Sequence, residues 1–251
     1  MAEAPLEAAI LIIGDEILSG RTQDTNTATI ARFLGARGIP VRAVRVCPDV
    51  TEEIIADLNA LRARHSYVFT TGGIGPTHDD ITADAVAKAF GVPIGFHPDA
   101  FALLEKHYGA ENFNDARRRM ARTPQGATLI DNPVSKAPGF RIGNVFVLAG
   151  VPRVMQAMLD SLSPMLPGGK PLLSCTVSAH TGEGVIAAAL GAIQTANPDI
   201  AIGSYPFYRN DRYGVSVVMR GADAERLSAT ESVVFTMFEG MGVKPFAGEP
   251  A

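Results

Sequence analysis

Ala8-Ala9-Ile10-Leu11-Ile12-Ile13-Gly14 is a continuous apolar run closed by glycine. A strand of a parallel sheet reads this way when helices cover both its faces, because neither set of alternating side chains meets water. Helical spacing follows at once. Thr27, Ile30, Ala31 and Leu34 share one face of a segment over about residues 24–37, ended by Gly38 and Pro40. The alternation then repeats: a strand over 41–46, a helix over 51–64 with Ile54, Ile55, Leu58 and Leu61 inward, a strand over 67–71 and a helix over 81–90. Strands joined by single helices imply right-handed crossovers, hence an α/β fold with a mostly parallel sheet and helices on both faces. Ligands of such sheets bind beyond the carboxyl ends of the strands.

Further along, residues 98–122 read as one or two helices, 139–149 as a hairpin turning at Gly143-Asn144, and a helix follows Pro152. Ser163-Pro164-Met165-Leu166-Pro167-Gly168-Gly169-Lys170-Pro171 can continue neither regular structure and reads as a linker. Beyond it come a strand (172–178), a helix (184–196), two strands paired around Asn210-Asp211 (200–208 and 215–220) and a helix (222–240). That βαββα order predicts a small α+β domain over 172–251, after a larger domain over 1–165.

With 251 residues, 47% hydrophobic and 19% charged, the chain can build a core without disulfides or a structural metal. Cys47 and Cys175 lie in separate apolar runs and read as buried free thiols of a reducing compartment. A net charge of −4 supplies no basic field, so nucleic acid is not an expected partner. The acidic start, Met1 to Glu7, is unlike a signal peptide, and the run from Ala8 to Ile13 is too short to span a bilayer. The expectation is a cytoplasmic protein without a membrane partner, assembling with further copies of itself.

The chemistry concentrates in Thr70-Thr71-Gly72-Gly73-Ile74-Gly75-Pro76-Thr77-His78-Asp79-Asp80-Ile81-Thr82. Closely spaced glycines free backbone N–H groups, and the helix start that follows adds the positive end of its dipole, which suits phosphate. Neither the G-x-G-x-x-G nor the P-loop pattern occurs. Asp79 and Asp80 would repel that phosphate unless a cation lies between, so Mg²⁺ or another divalent ion held by Asp80, Glu16 and Asp79 is one reading. Helix capping by Thr77 or Asp79 is the other. Gly14, Asp15 and Glu16 leave the first strand, and Asp24 and Asn26 open its helix. They either converge on the same edge or form a polar turn and an N-cap. Asp49 ends the second strand, yet Asp49-x-x-Glu52 also spells a capping box. Arg117-Arg118-Arg119 with Arg122 either lends positive charge to a diphosphate or, as such helix runs more often do, forms a solvated face, and Lys136 beside a turn is a candidate phosphate contact. The five histidines have no metal spacing.

Taken together, Gly14-Asp15-Glu16-Ile17-Leu18-x-Gly20, Asp24-Thr25-Asn26 and the segment from Thr70 to Thr82 resemble the molybdopterin-binding domain family. The likeness is strongest to the amino-terminal domain of competence/damage-inducible protein A and the corresponding domain of eukaryotic FAD synthase. Asn132-Pro133-Val134, Ala137-Pro138-Gly139-Phe140 and Gly150-Val151-Pro152 extend it over about residues 8–165, and Gly203-Ser204-Tyr205-Pro206 resembles the small domain that follows in those proteins. The resemblance implies a three-layer α/β sandwich that binds a pterin, such as molybdopterin, or an adenine nucleotide. It implies catalytic aspartates at Asp49 and Asp80, and ligand contacts from Gly14, Asp15, Glu16, Asp24, Asn26, Thr71, Gly72, Gly73, Gly75, Pro76, Thr77, Lys136, Pro138, Gly139, Gly150 and Pro152. Asp15 stands where the family usually has Asn, Ser135-Lys136 where it has Gly-Thr, and Val154 where it often has an acid. The expected activity is metal-dependent cleavage of the diphosphate of ADP-ribose or FAD. The alternatives are adenylylation of molybdopterin and a non-catalytic binding module.

Overall fold

The computed structural model describes residues 6–166, 168–209 and 211–249. The chain start, Pro167 of the expected linker and Asn210 of the expected turn lie outside them. Contacts divide the chain into two compact units between Gly169 and Lys170.

In the first unit, β1 (Ala8–Ile13) is followed by α1 (Asp15–Leu18), α2 (Asn26–Gly35), β2 (Val41–Cys47), α3 (Thr51–Arg62), β3 (Tyr67–Thr71) and α4 (Thr82–Phe90). Next come β4 (Ile94–Phe96), α5 (Pro98–Tyr108), α6 (Asp115–Arg119), β5 (Arg122–Pro124), β6 (Thr128–Ile130), β7 (Gly139–Ile142), β8 (Val145–Leu148) and α7 (Pro152–Leu162). One six-stranded sheet runs β2-β1-β3-β8-β7-β6, in which β2, β1, β3 and β8 are parallel and β7 alone is reversed, pairing antiparallel with both β8 and β6. β4 and β5 form a separate ribbon.

All six residues of β1 are buried because each parity meets its own layer of helices. Ala8, Ile10 and Ile12 pack with Ile30 and Leu34 of α2 and Met155, Met158 and Leu159 of α7. Ala9, Leu11 and Ile13 pack with Ile54, Leu58 and Leu61 of α3 and Ala85 and Val86 of α4. The three-layer sandwich expected of the sequence is thus present. Gly139 is required by packing. A Cβ there would stand 2.3 Å from both the Val147 carbonyl oxygen and Met158 Cε.

The second unit folds as β9 (Leu173–Ala179), α8 (Glu183–Ala196), β10 (Ala201–Arg209), β11 (Arg212–Gly221), α9 (Ala224–Gly240) and β12 (Pro245–Ala247). Its antiparallel sheet, ordered β10-β11-β9-β12, lays Val177, Val215, Val217 and Met219 against Ile186 of α8 and Val234 and Phe238 of α9. The order is βαββαβ rather than βαββα, since the short β12 closes the sheet beside β9.

No described helix is long and apolar enough to cross a membrane. Both cysteines are free, but only Cys47 is buried; Cys175 is half-buried. Burial pushes the Cys47 thiol up to about 12, helped by the Asp57, Asp49 and Glu53 carboxylates, and burial beside Glu231 pushes Cys175 up to about 11.

Two outcomes follow from this packing. Gly139→Ala should lower the urea-unfolding free energy by about 1–3 kcal/mol, the usual cost of overpacking; unchanged stability would mean the sheet yields freely there. At pH 8 a disulfide reagent should label neither cysteine quickly before unfolding, because the thiolate is the nucleophile and little of it exists. Rapid labelling of Cys47 in the folded protein would contradict this.

Candidate functional site

The parallel strands end on one edge, where their loops are tied together. Gly14 donates its N–H to the Cys47 carbonyl (3.2 Å) and Gly72 to the Leu148 carbonyl (3.3 Å). Buried Asn26 donates from Nδ2 to Thr71 Oγ1 (2.8 Å) and the Gly150 carbonyl (2.7 Å), and Thr71 Oγ1 donates to the Ala149 carbonyl (2.9 Å). Asp24 spends its carboxylate on the N–H groups of Asn26 (2.9 Å) and Thr27 (3.3 Å), the helix-start role that was one reading of it. Gly72 holds φ +112°, and a Cβ there would lie 2.0 Å from the Ile13 carbonyl oxygen, so only glycine lets β3 leave the sheet this close to β1.

The glycine loop folds on itself after Pro76. Thr77 donates both its N–H (2.7 Å) and its hydroxyl (2.5 Å) to Asp80 Oδ2, and Thr82 donates its hydroxyl to the Gly72 carbonyl (3.0 Å) and its N–H to that of Gly73 (3.0 Å). No side chain caps α4, so the capping reading of Thr77 and Asp79 is corrected. The expected phosphate seat over residues 72–77 also narrows, since the Gly72 and Thr77 amides are taken and Pro76 has none. Among the described residues no hydrogen bond takes the N–H of Gly73, Ile74 or Gly75.

These amides border a cleft of about 730 Å³ whose lining includes Glu16, Thr22, residues 72–76, Asp80, Gly150, Pro152 and Val154. Across it come two residues of the arginine run, for which the sequence left both a diphosphate contact and a solvated face open. Arg117, its guanidinium 4.3 Å from the Tyr108 ring centroid and bonded to the Asn112 carbonyl (2.5 Å), lines the cleft together with Tyr108 and Met120. Arg119 reaches the Asp80 carbonyl at 3.4 Å and shares a smaller recess with Gly73, Gly75, Asp80 and Pro138. Arg118 pairs with Asp115 and Arg122 grips Asp84 with two bonds (2.6 and 3.2 Å). The solvated-face reading therefore fails for Arg117 and Arg119.

Other expected residues stand elsewhere. Lys136 sits at φ +63° in a turn outside the cleft lining, in a loop that buried Asn132 organises through Ser135 and the Ala137 carbonyl. Gly139 serves packing, and Asp79 is exposed. Asp49 does not cap α3, whose N-cap is Val50; its Oδ2 accepts the N–H of Asp15 (3.0 Å) instead. Burial pushes the Asp49 carboxyl up. The Asp15 N–H opposes this, while the charges of Asp15, Glu16 and Asp79 reinforce it. Asp15 and Glu16 begin the single helical turn α1 rather than an irregular turn.

Among the described residues no three His, Cys, Asp or Glu side chains are placed to hold a metal ion. Asp80, Glu16 and Asp79 thus do not form a closed site. The carboxylates of Asp80 and Glu16 on one cleft nevertheless suit Mg²⁺, which takes one or two carboxylates and completes its shell with substrate phosphates and water.

Unspent amides, arginines and carboxylates at the carboxyl edge of a parallel sheet define a small-molecule-binding α/β domain. Residues 9–168 match the family described as a probable molybdopterin binding domain, and residues 171–246 match the FAD synthase middle domain. The chain belongs to the molybdopterin-binding domain family. A protein of Pyrobaculum calidifontis is 34% identical over 210 residues, 79% of this chain and 80% of its own length. A CinA-like protein of Syntrophotalea carbinolica is 38% identical over 160 residues, 61% of this chain and 39% of that protein. The crystal structure of the protein CinA, of unknown function, from Thermoplasma acidophilum has a TM-score of 0.61 at 35% identity, covering 64% of this chain and 99% of that one.

A carboxyl whose pKa is raised by folding costs stability when ionised; that cost is absent at acid pH and grows as pH rises through the folded pKa. Asp49→Asn keeps an acceptor for the Asp15 N–H and removes the charge, so its melting temperature at pH 7 should equal or exceed that of the parent. A clear drop at pH 7 would show that the charge is welcome in the fold.

Proposed function

We propose that this chain cleaves the diphosphate of an adenine dinucleotide, ADP-ribose or FAD, bound in the cleft with Mg²⁺ or another divalent cation. The observation that carries the reading is the row of three unspent amides, Gly73, Ile74 and Gly75, in one cleft with Asp80 and Arg117. The amides and the Arg117 and Arg119 guanidiniums bind the diphosphate oxygens. A water oxygen bonds to one phosphorus as the bridging P–O bond breaks, giving AMP with ribose 5-phosphate, or AMP with FMN. In this reading Glu16 takes the proton that water releases, leaving Asp80 for the cation. The divalent cation, when bound, neutralises charge on the diphosphate, and Asp80 would hold it. Asp49, outside the cleft lining, is a positioning residue that fixes the loop carrying Glu16 through the Asp15 N–H.

The family match favours a second reading, in which a pterin phosphate replaces water as acceptor of the adenylyl group. Incubating the protein with ADP-ribose, FAD, or ATP plus molybdopterin, with and without Mg²⁺, Mn²⁺ or Co²⁺, and weighing the products separates the two. Ligand-induced stabilisation without any product would select a non-catalytic module instead.

Asp80→Asn should lower kcat/KM by roughly 10²-fold or more while the protein stays folded. Arg119→Ala should act mainly on KM. Full turnover by the Asp80→Asn variant would remove Asp80 from the chemistry.

A further inference from the structure

Beside the cleft lies a second cavity, of about 60 Å³, lined by Ile12, Thr25, Asn26 and Thr71. Glu16, Thr22, Gly72, Gly150 and Pro152 border both spaces, so the two adjoin. Asn26 is 7% exposed, and its Oδ1 has no hydrogen-bond partner among the described residues. The amide cannot be turned over to relieve this. Nδ2 faces the Gly150 carbonyl, which only accepts, and Thr71 Oγ1, whose own proton goes to the Ala149 carbonyl. Both contacts require the NH₂ end, so the carbonyl end is the orphan.

A buried acceptor left unmade is destabilising, and a donor arriving there would recover that cost. The lining also holds the Glu16 carboxylate, Asp24, already spent on backbone N–H groups, and the donor-bearing Thr22, Gln23 and Thr25, none of which bonds Asn26 Oδ1. At about 60 Å³ the space suits a small polar substituent of a ligand lying in the cleft. Resting on the reading of the cleft as a nucleotide or pterin site, we propose that this cavity is the subsite for the exocyclic amino group of the ligand's heterocycle, with Asn26 Oδ1 accepting one of its N–H bonds. A carbonyl or a hydrogen at the same ring position leaves Oδ1 unmet. Asn26 is then a specificity residue. Adenine and a pterin both carry such an amino group, and hypoxanthine and lumazine are their counterparts with oxygen in its place.

Ligand pairs test this without a variant that could fail to fold. Dissociation constants are measured by calorimetry for AMP against IMP and for 6-hydroxymethylpterin against 6-hydroxymethyllumazine, and a crystal structure is solved with the tighter ligand. The expected result is a preference of about tenfold or more for the amino member of at least one pair, the equivalent of about 1.4 kcal/mol. In the crystal its nitrogen should stand within hydrogen-bond distance of Asn26 Oδ1. A preference in the purine pair alone assigns the group to adenine, and in the pterin pair alone to a pterin. Equal affinities within both pairs, no binding by any of the four, or a water on Oδ1 with the heterocycle elsewhere overturns the proposal. Because no turnover is read, a protein that prefers AMP to IMP yet cleaves no dinucleotide keeps this subsite and loses the hydrolase reading.

Discussion

The contact between the Gly72 backbone and the Ile13 carbonyl is the constraint on which the rest of the site depends. Two parallel strands lie side by side, and at their carboxyl ends one must leave the sheet without pushing the other away. No side chain fits between them. With that gap closed, the Gly72 N–H bonds to Leu148 of the next strand, Asn26 can reach both Thr71 and Gly150, and the following amides are delivered to open space. The apolar run of β1 supplies the rigid floor, since helices hold it from both faces.

Charge at this edge is arranged in two regions. At the end of β2, burial pushes the Asp49 carboxyl up, and the charges of Asp15, Glu16 and Asp79 add to it. Arg117 and Arg119 approach the glycine loop from α6, on the side of Asp80. The cleft therefore offers an anion backbone and guanidinium donors, with the carboxylates of Asp80 and Glu16 also on its lining. A ligand that is negative at one end and carries hydrogen-bond donors at the other answers both.

Much of this was legible before any coordinates. β1 could be read because both of its parities are apolar, and α2, α3 and α4 because their apolar residues recur at helical spacing. The three-residue strands were not. Ile94-Gly95-Phe96 and Arg122-Thr123-Pro124 are too short for periodicity to register, and Pro245-Phe246-Ala247 gains its strand identity only from pairing with β9. At the site, local grammar misled where a distant partner won. Asp49 sits in a capping pattern, but its carboxylate goes to an N–H thirty-four residues earlier. The arginine run looked like a solvated surface because sequence does not tell which way each residue of a single helical turn points. The glycine loop was placed correctly, but which of its amides remain available depends on Leu148 and on Asp80, and only the fold decides that.

The donors at Gly73, Ile74 and Gly75 belong to the main chain, so every amino acid except proline would supply the same N–H. Replacing side chains there tests conformation, not hydrogen bonding. A scan by alanine would record the loop as a requirement for small residues and miss the proposed anion seat, which would yield only to chemistry that exchanges a peptide nitrogen for an ester oxygen. Drift in the surrounding side chains can accordingly retune what is bound while the seat itself passes unaltered from one descendant to the next.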